Sequence, residues 1–292
     1  MRELHGAGVA LVTPFHNDGS IDFESLAKLI EHQIAGGMDY LVSLGTTGEV
    51  ATLSKEEKYA VWEFTAKQVA GRVALVAGIG GNNTAEVAAA IASFEVSGYC
   101  AILSVSPYYS KPTQEGIYQH YKAIAEASKL PIILYNVPSR TGSSISPATT
   151  VRLAKDFDNI VATKEASGSF AQFSEIMRDK PNDFLLISGD DPITLPMMAL
   201  GAVGLISVVA NAYPKQVADI VHACAAGNYD HVRATHNSLL DITDLCFVDA
   251  NPCGVKYILQ EMNIGTDYVR LPLVPARAET KEAIKRTMTT LA

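Results

Sequence analysis

Ile160-Val161-Ala162-Thr163-Lys164-Glu165-Ala166-Ser167-Gly168 opens as an apolar run and closes as a polar turn. Such a run is too short for a helix of ordinary length, and its β-branched residues suit a strand covered on both faces, as in a parallel sheet. The same signature recurs at Val9–Val12, Tyr40–Leu44, Val73–Ile79, Ala101–Val105, Ile132–Tyr135, Phe184–Ile187 and Val203–Val209, giving eight runs in all. Between them lie stretches with helical periodicity, such as Phe23, Leu26, Ala27, Ile30 and Ile34, which draw one apolar stripe. Helix starts agree with this: Ser54 with Glu57 forms a capping-box pattern, and Ser146-Pro147 and Asp191-Pro192 each place a capping residue before a proline.

Eight strand-then-helix units predict an α/β fold. With eight equivalent strands and no Gly-x-Gly-x-x-Gly turn after the first, the closed (β/α)8 TIM barrel is favoured over an open doubly wound sheet. The strand signal fades after about residue 213, and helical segments follow over 217–226, 231–246, 252–262 and 279–291. We expect a barrel over 1–212 and a C-terminal helical region over 213–292 packed on it, since no low-complexity linker separates the two.

Composition narrows the function. The chain has 292 residues and a formal net charge of −8, with no dense block of Lys or Arg to track a phosphate backbone, so nucleic acid is not an expected partner. No stretch has the roughly 20 consecutive apolar residues that cross a bilayer, and the N-terminus carries no signal-peptide pattern, so no membrane is expected and a cytoplasmic location is. The four cysteines are far apart, without metal-ligand spacing, and read as free buried thiols; no metal is expected. The seven histidines are scattered, and most read as surface or boundary residues.

In a barrel of this kind the chemistry sits at the carboxyl ends of the strands. There the sequence offers Gly45-Thr46-Thr47-Gly48-Glu49, Pro107-Tyr108-Tyr109, Tyr135 through Gly142, Lys164-Glu165-Ala166 and Ser188-Gly189-Asp190-Asp191. Lys164 ends an inward-facing strand, where an ammonium is expensive to desolvate. A low-dielectric pocket disfavours the charged form and leaves an amine able to attack a ketone. The plain alternative is a lysine that reaches solvent or pairs with Glu165. Thr46, Tyr109 and Tyr135 supply three hydroxyls that could pass protons, although each is also an ordinary strand residue. Small residues in Gly45–Gly48 let N–H groups and hydroxyls close around an anion, although a tight βα turn has the same look, and Gly189 could keep a pocket floor open. Arg140 could hold a second carboxylate with its planar fork. Asp191 is read as a helix cap, not as a metal ligand.

Taken together, Gly45-Thr46-Thr47-Gly48-Glu49, the Tyr135–Gly142 stretch and Lys164-Glu165-Ala166 resemble the signatures of the pyruvate-dependent class I lyase/synthase family, from Thr13-Pro14 to the helical tail. The resemblance implies an imine between Lys164 and pyruvate, Tyr135 as proton donor and acceptor, and Thr46 with Tyr109 completing the relay. It implies contacts from Thr47 and Ile206 to pyruvate and no organic cofactor. In the family the residue matching Tyr109 enters the neighbouring subunit's site, which implies a homo-oligomer, a tetramer built as a dimer of dimers. The paired threonines and Arg140 resemble the branch that adds pyruvate to L-aspartate 4-semialdehyde, making the cyclic precursor of diaminopimelate and lysine. A sibling lyase cleaving N-acetylneuraminate or a 2-keto-3-deoxy sugar acid is the nearest rival; a barrel that only binds pyruvate is a rival of another class. Ala51, Asn82, Glu86 and Tyr108 match parts of the family's allosteric lysine site. Lys55 and Lys58 would oppose a cationic ligand there, so weak or absent inhibition by lysine is expected.

Overall fold

The computed structural model of the chain describes residues 1–291. Its strands are β1 Gly6–Ala10, β2 Tyr40–Ser43, β3 Ala74–Gly78, β4 Tyr99–Val105, β5 Ile132–Asn136, β6 Ile160–Glu165, β7 Leu185–Ser188 and β8 Gly204–Ser207. Each lies parallel to the next, and β8 pairs back onto β1, so the sheet closes as a (β/α)8 barrel. Helices α1 Phe23–Ala35, α2 Lys55–Val69, α3 Thr84–Ala92, α4 Gln114–Ala127, α5 Pro138–Thr141, α6 Pro147–Asp156, α7 Phe170–Asp179 and α8 Thr194–Ala199 fall between the strands. Then come α9 Pro214–Ala225, α10 Tyr229–Ser238, α11 Leu240–Leu245, α12 Cys253–Glu261 and α13 Ala278–Leu291. Among the described residues no helix is long and apolar enough to cross a membrane.

Strand alternation sorts the apolar side chains into two layers. Val42, Val76, Leu103, Ile133, Ile187 and Ile206 fill the barrel, while their neighbours Leu41, Leu75, Ile102, Leu134, Leu186 and Leu205 face the surrounding helices. Both layers are continuous, which is why the strands read as unbroken apolar runs. The first strand starts three residues before its apolar run, at Gly6. Its glycines make room: a methyl on Gly8 would lie 2.3 Å from the ring of Tyr40, which plugs the barrel and donates its hydroxyl to the Leu205 carbonyl at 3.2 Å.

The caps form at Ser54, with its reciprocal bond to Glu57, and at Ser146, which accepts from Thr149 N. Asp191 departs from its expected role. Its carboxylate accepts from Ser207 Oγ and from Val208 N at 2.9 Å, tying the turn after β8 to the turn after β7. The helix expected over 231–246 is broken into α10 and α11 near Leu239. Helix α9 lies against β1, β8 and α1, so it completes the outer ring before the remaining helices begin. Three cysteines are buried, but Cys100 is only half-buried. His120 is buried as well, bonded to Thr84 Oγ1 at 2.8 Å, with burial pushing its imidazole down to about 4.

Gly8→Ala forces a methyl into the Tyr40 ring inside a packed barrel. A loss of roughly 1–3 kcal/mol is expected from such overpacking, read from the urea midpoint. An unchanged midpoint would contradict this packing.

Candidate active site

Alternation along β6 carries Lys164 inward with Ala162 and turns Thr163 and Glu165 toward the helices. Lys164 is 4% exposed, in register with Tyr135 on β5 and Ile187 on β7. Its Nζ lies 4.4 Å from the centroid of the Tyr135 ring, near enough for a cation–π contact when charged. Among the described residues the amine enters no salt bridge and no side-chain hydrogen bond. It therefore neither reaches bulk water nor pairs with Glu165. Gly189 leaves room for this placement, because a methyl there would press at 3.0 Å on Cγ and Cε of Lys164 and on Cβ of Ala166.

Glu165 is fully buried on the opposite face. Its carboxylate accepts from Asn136 Nδ2 at 2.9 and 3.0 Å, Gln172 Nε2 at 2.8 Å and Ser167 N at 3.0 Å. Burial pushes its carboxyl above the ordinary range, and these donors pull it back. The bonds hold β5, β6 and α7 together directly behind Lys164 and Tyr135.

The turn after β2 crosses the same mouth of the barrel. It is bracketed by two non-glycine residues in the left-handed region, Leu44 at φ 60° and Glu49 at φ 53°, conformations that cost energy in most contexts. Gly78 on β3 permits the crossing, since a methyl there would fall 2.2 Å from the Leu44 carbonyl oxygen. Thr46, Thr47 and Gly48 form a single 3-10 turn, latched by Thr13 Oγ1 donating to the Gly48 carbonyl at 2.8 Å. Thr47 is buried, and its hydroxyl accepts from Asn251 Nδ2 at 2.9 Å.

Glu49 is anchored from far along the chain. Its carboxylate is bonded to the Lys256 ammonium and accepts from Arg270 N at 3.0 Å. Burial pushes the Lys256 amine down to about 8 against the pull of Glu49. Arg270 also bridges to Glu57, at the start of α2, and donates to the Gly19 carbonyl at 2.7 Å. Asn251, Lys256 and Arg270 were not among the residues the sequence singled out; Lys256 within Val255-Lys256-Tyr257-Ile258 carried the one available signal, a charge inside an apolar run.

Ile206 is buried in the barrel interior with Tyr135. Arg140 is exposed in α5, at the end of the turn that follows β5. Tyr109 is not brought to Lys164 within the chain: it is 89% exposed, with φ 74°. Ala51, Asn82, Glu86 and Tyr108 are all exposed, and Glu86 accepts from Asn83 Nδ2 at 2.9 Å. Among the described residues no group of three or more His, Cys, Asp or Glu side chains is arranged to hold a metal ion.

Glu165→Gln turns an amide NH2 toward donors that need acceptors. A loss of about 1–3 kcal/mol is expected, measured by chemical denaturation. A neutral effect would mean that the carboxyl already carries a proton in the folded chain.

Residues 3–291 match the model of the dihydrodipicolinate synthetase family. A protein of Parabacteroides distasonis named 4-hydroxy-tetrahydrodipicolinate synthase is 50% identical over 98% of this chain and 96% of its own length. One of the same name from Flavobacterium psychrophilum is 48% identical over 94% of each chain. Among solved structures, dihydrodipicolinate synthase from Thermotoga maritima superposes with a TM-score of 0.96 at 37% identity, covering 99% of this chain and 98% of that one. The Acinetobacter baumannii enzyme complexed with pyruvate gives 0.95 at 40% identity, covering 98% of each. With the family model spanning nearly its whole length and relatives near half identity, this chain belongs to the dihydrodipicolinate synthetase family.

Proposed function

We propose that this chain condenses pyruvate with L-aspartate 4-semialdehyde through an imine on Lys164, giving 4-hydroxy-tetrahydrodipicolinate. The observation that carries the reading is the Lys164 amine, enclosed beside Tyr135 at the barrel mouth with no anion bonded to it among the described residues. A buried primary amine beside an aromatic ring, with no carboxylate bonded to it among the described residues, is suited to act as a nucleophile. The names of the relatives support the choice of substrates, and a pyruvate complex of a structural neighbour supports the first of them.

The chemistry follows from the side chains present. Neutral Lys164 Nζ attacks C2 of pyruvate, and the carbinolamine loses one water to give the imine. Tyr135 then takes a methyl proton to give the enamine, with Thr46 and the Tyr109 of another subunit passing the proton onward. The enamine carbon bonds to the aldehyde carbon of the semialdehyde, whose oxygen takes a proton. The substrate's own amine replaces Lys164 at C2, closing the ring and freeing the enzyme. One molecule of water leaves for each pair of substrates joined.

Thr47 and Ile206 would contact pyruvate, with the turn at Gly45–Gly48 receiving its carboxylate. Arg140 would hold the carboxylate of the semialdehyde. Gly189 leaves space for Lys164. An 89% exposed tyrosine with a left-handed backbone suits a residue held for a neighbouring copy and so supports a homo-oligomer as the working unit. The family resemblance makes that unit a tetramer built as a dimer of dimers, working in the cytoplasm.

In a coupled assay with both substrates, Lys164→Ala is expected to lower kcat/KM roughly a thousandfold or more. Pyruvate release from N-acetylneuraminate without condensation would contradict the reading. L-lysine at millimolar concentration is expected to leave the rate within about twofold, because Lys55 and Lys58 oppose a cationic ligand. Saturable inhibition at or below that concentration would contradict this second expectation.

A further inference from the structure

The segment leading into α12 grips the turn after β2 at two points, Asn251 on Thr47 and Lys256 on Glu49. The first contact is built at a cost. Ala250 takes φ 71°, in the left-handed region that a side chain disfavours, and so aims the following Asn251. Asn251 is 6% exposed, and its Oδ1 is buried with no hydrogen-bond partner among the described residues. A strained backbone thus stands beside a buried acceptor that no described residue satisfies, a pairing that points to a role beyond packing.

What the arrangement gains is the direction of one proton. Thr47 Oγ1 accepts from Asn251 Nδ2, so a lone pair of the hydroxyl is committed to the amide. A hydroxyl has one proton, and that of Thr47 donates to no acceptor among the described residues. It remains free to point away from Asn251, toward the carboxylate that the function proposed above sets against Thr47. With the amide turned the other way, Oδ1 would take that proton and leave lone pairs facing the ligand.

We propose that Asn251 is a positioning residue, whose amide fixes the Thr47 hydroxyl as a hydrogen-bond donor to the carboxylate of the bound keto acid. The inference rests on the function proposed above and adds a residue from the C-terminal region to the pyruvate site. It acts on binding of the carboxylate and leaves the bond-forming steps at Lys164 alone.

The test is the pyruvate concentration that gives half-maximal trapping of Lys164 by borohydride, read by mass spectrometry on the full-length protein. Asn251→Ala is expected to raise it about tenfold, the low end of the range for a lost hydrogen bond to a charged group, with trapping at saturating pyruvate preserved. Asn251→Asp, which keeps the shape but can only accept, is expected to raise it at least as much; it also carries the test if the alanine variant fails to fold. In a Thr47→Val background, Asn251→Ala is expected to add little, because the hydroxyl it orients is gone. An Asn251→Asp variant that binds pyruvate like the parent would overturn the assignment, as would a full additional loss in the Thr47→Val background. A parent protein that is never trapped would instead remove the imine reading on which the proposal stands.

Discussion

The structure turns on one amine held inside a barrel with no carboxylate bonded to it among the described residues. Strand alternation sends Lys164 inward, and the ring of Tyr135 covers one side of it. Desolvating an ionisable group without a bonded partner is unfavourable, so the surrounding structure has to hold it there. That support comes from the back. Asn136 and Gln172 bind Glu165, the residue after the lysine, so the strand end cannot rotate or slip without breaking several buried hydrogen bonds. Gly189 leaves the stem of the lysine its space, and Asp191 ties together the two turns that follow β7 and β8.

A second buried lysine shows what a structural role looks like in the same molecule. Lys256 is 1% exposed, more deeply enclosed than Lys164, yet it is bonded to Glu49 and to the Tyr268 carbonyl and lies over the ring of Phe15. Removing one member of such a pair strands the other, so this pair locks the C-terminal helices to the turn at the barrel mouth. The helical region is thus part of the site's frame. Arg270 extends the lock to the start of α2 through Glu57, whose carboxyl it holds down at about 2.

Local patterns made the barrel legible. Continuous apolar runs with β-branched residues located the strands, and capping residues located the starts of α2 and α6, because both depend on neighbours a few positions away. Lys164 stood out for the same reason, as a charge at the end of an apolar strand. Long-range contacts were not legible. Lys256 sent the same local signal, but its partner lies 207 residues earlier; Asn251 reaches Thr47 across 204 residues. Asp191 before Pro192 looked like a cap, and only the fold reveals that Ser207 and Val208 claim its carboxylate. The glycine-rich start of β1 was missed because its value lies in the space left for Tyr40, a residue of another strand.

The most direct measurement is a crystal structure of the protein soaked in pyruvate. Continuous density joining Lys164 Nζ to C2 of the keto acid is expected, with the lysine still enclosed by the barrel wall. Pyruvate lying free of the lysine, or an amine swung out to bulk water without an adduct, would contradict the imine on Lys164.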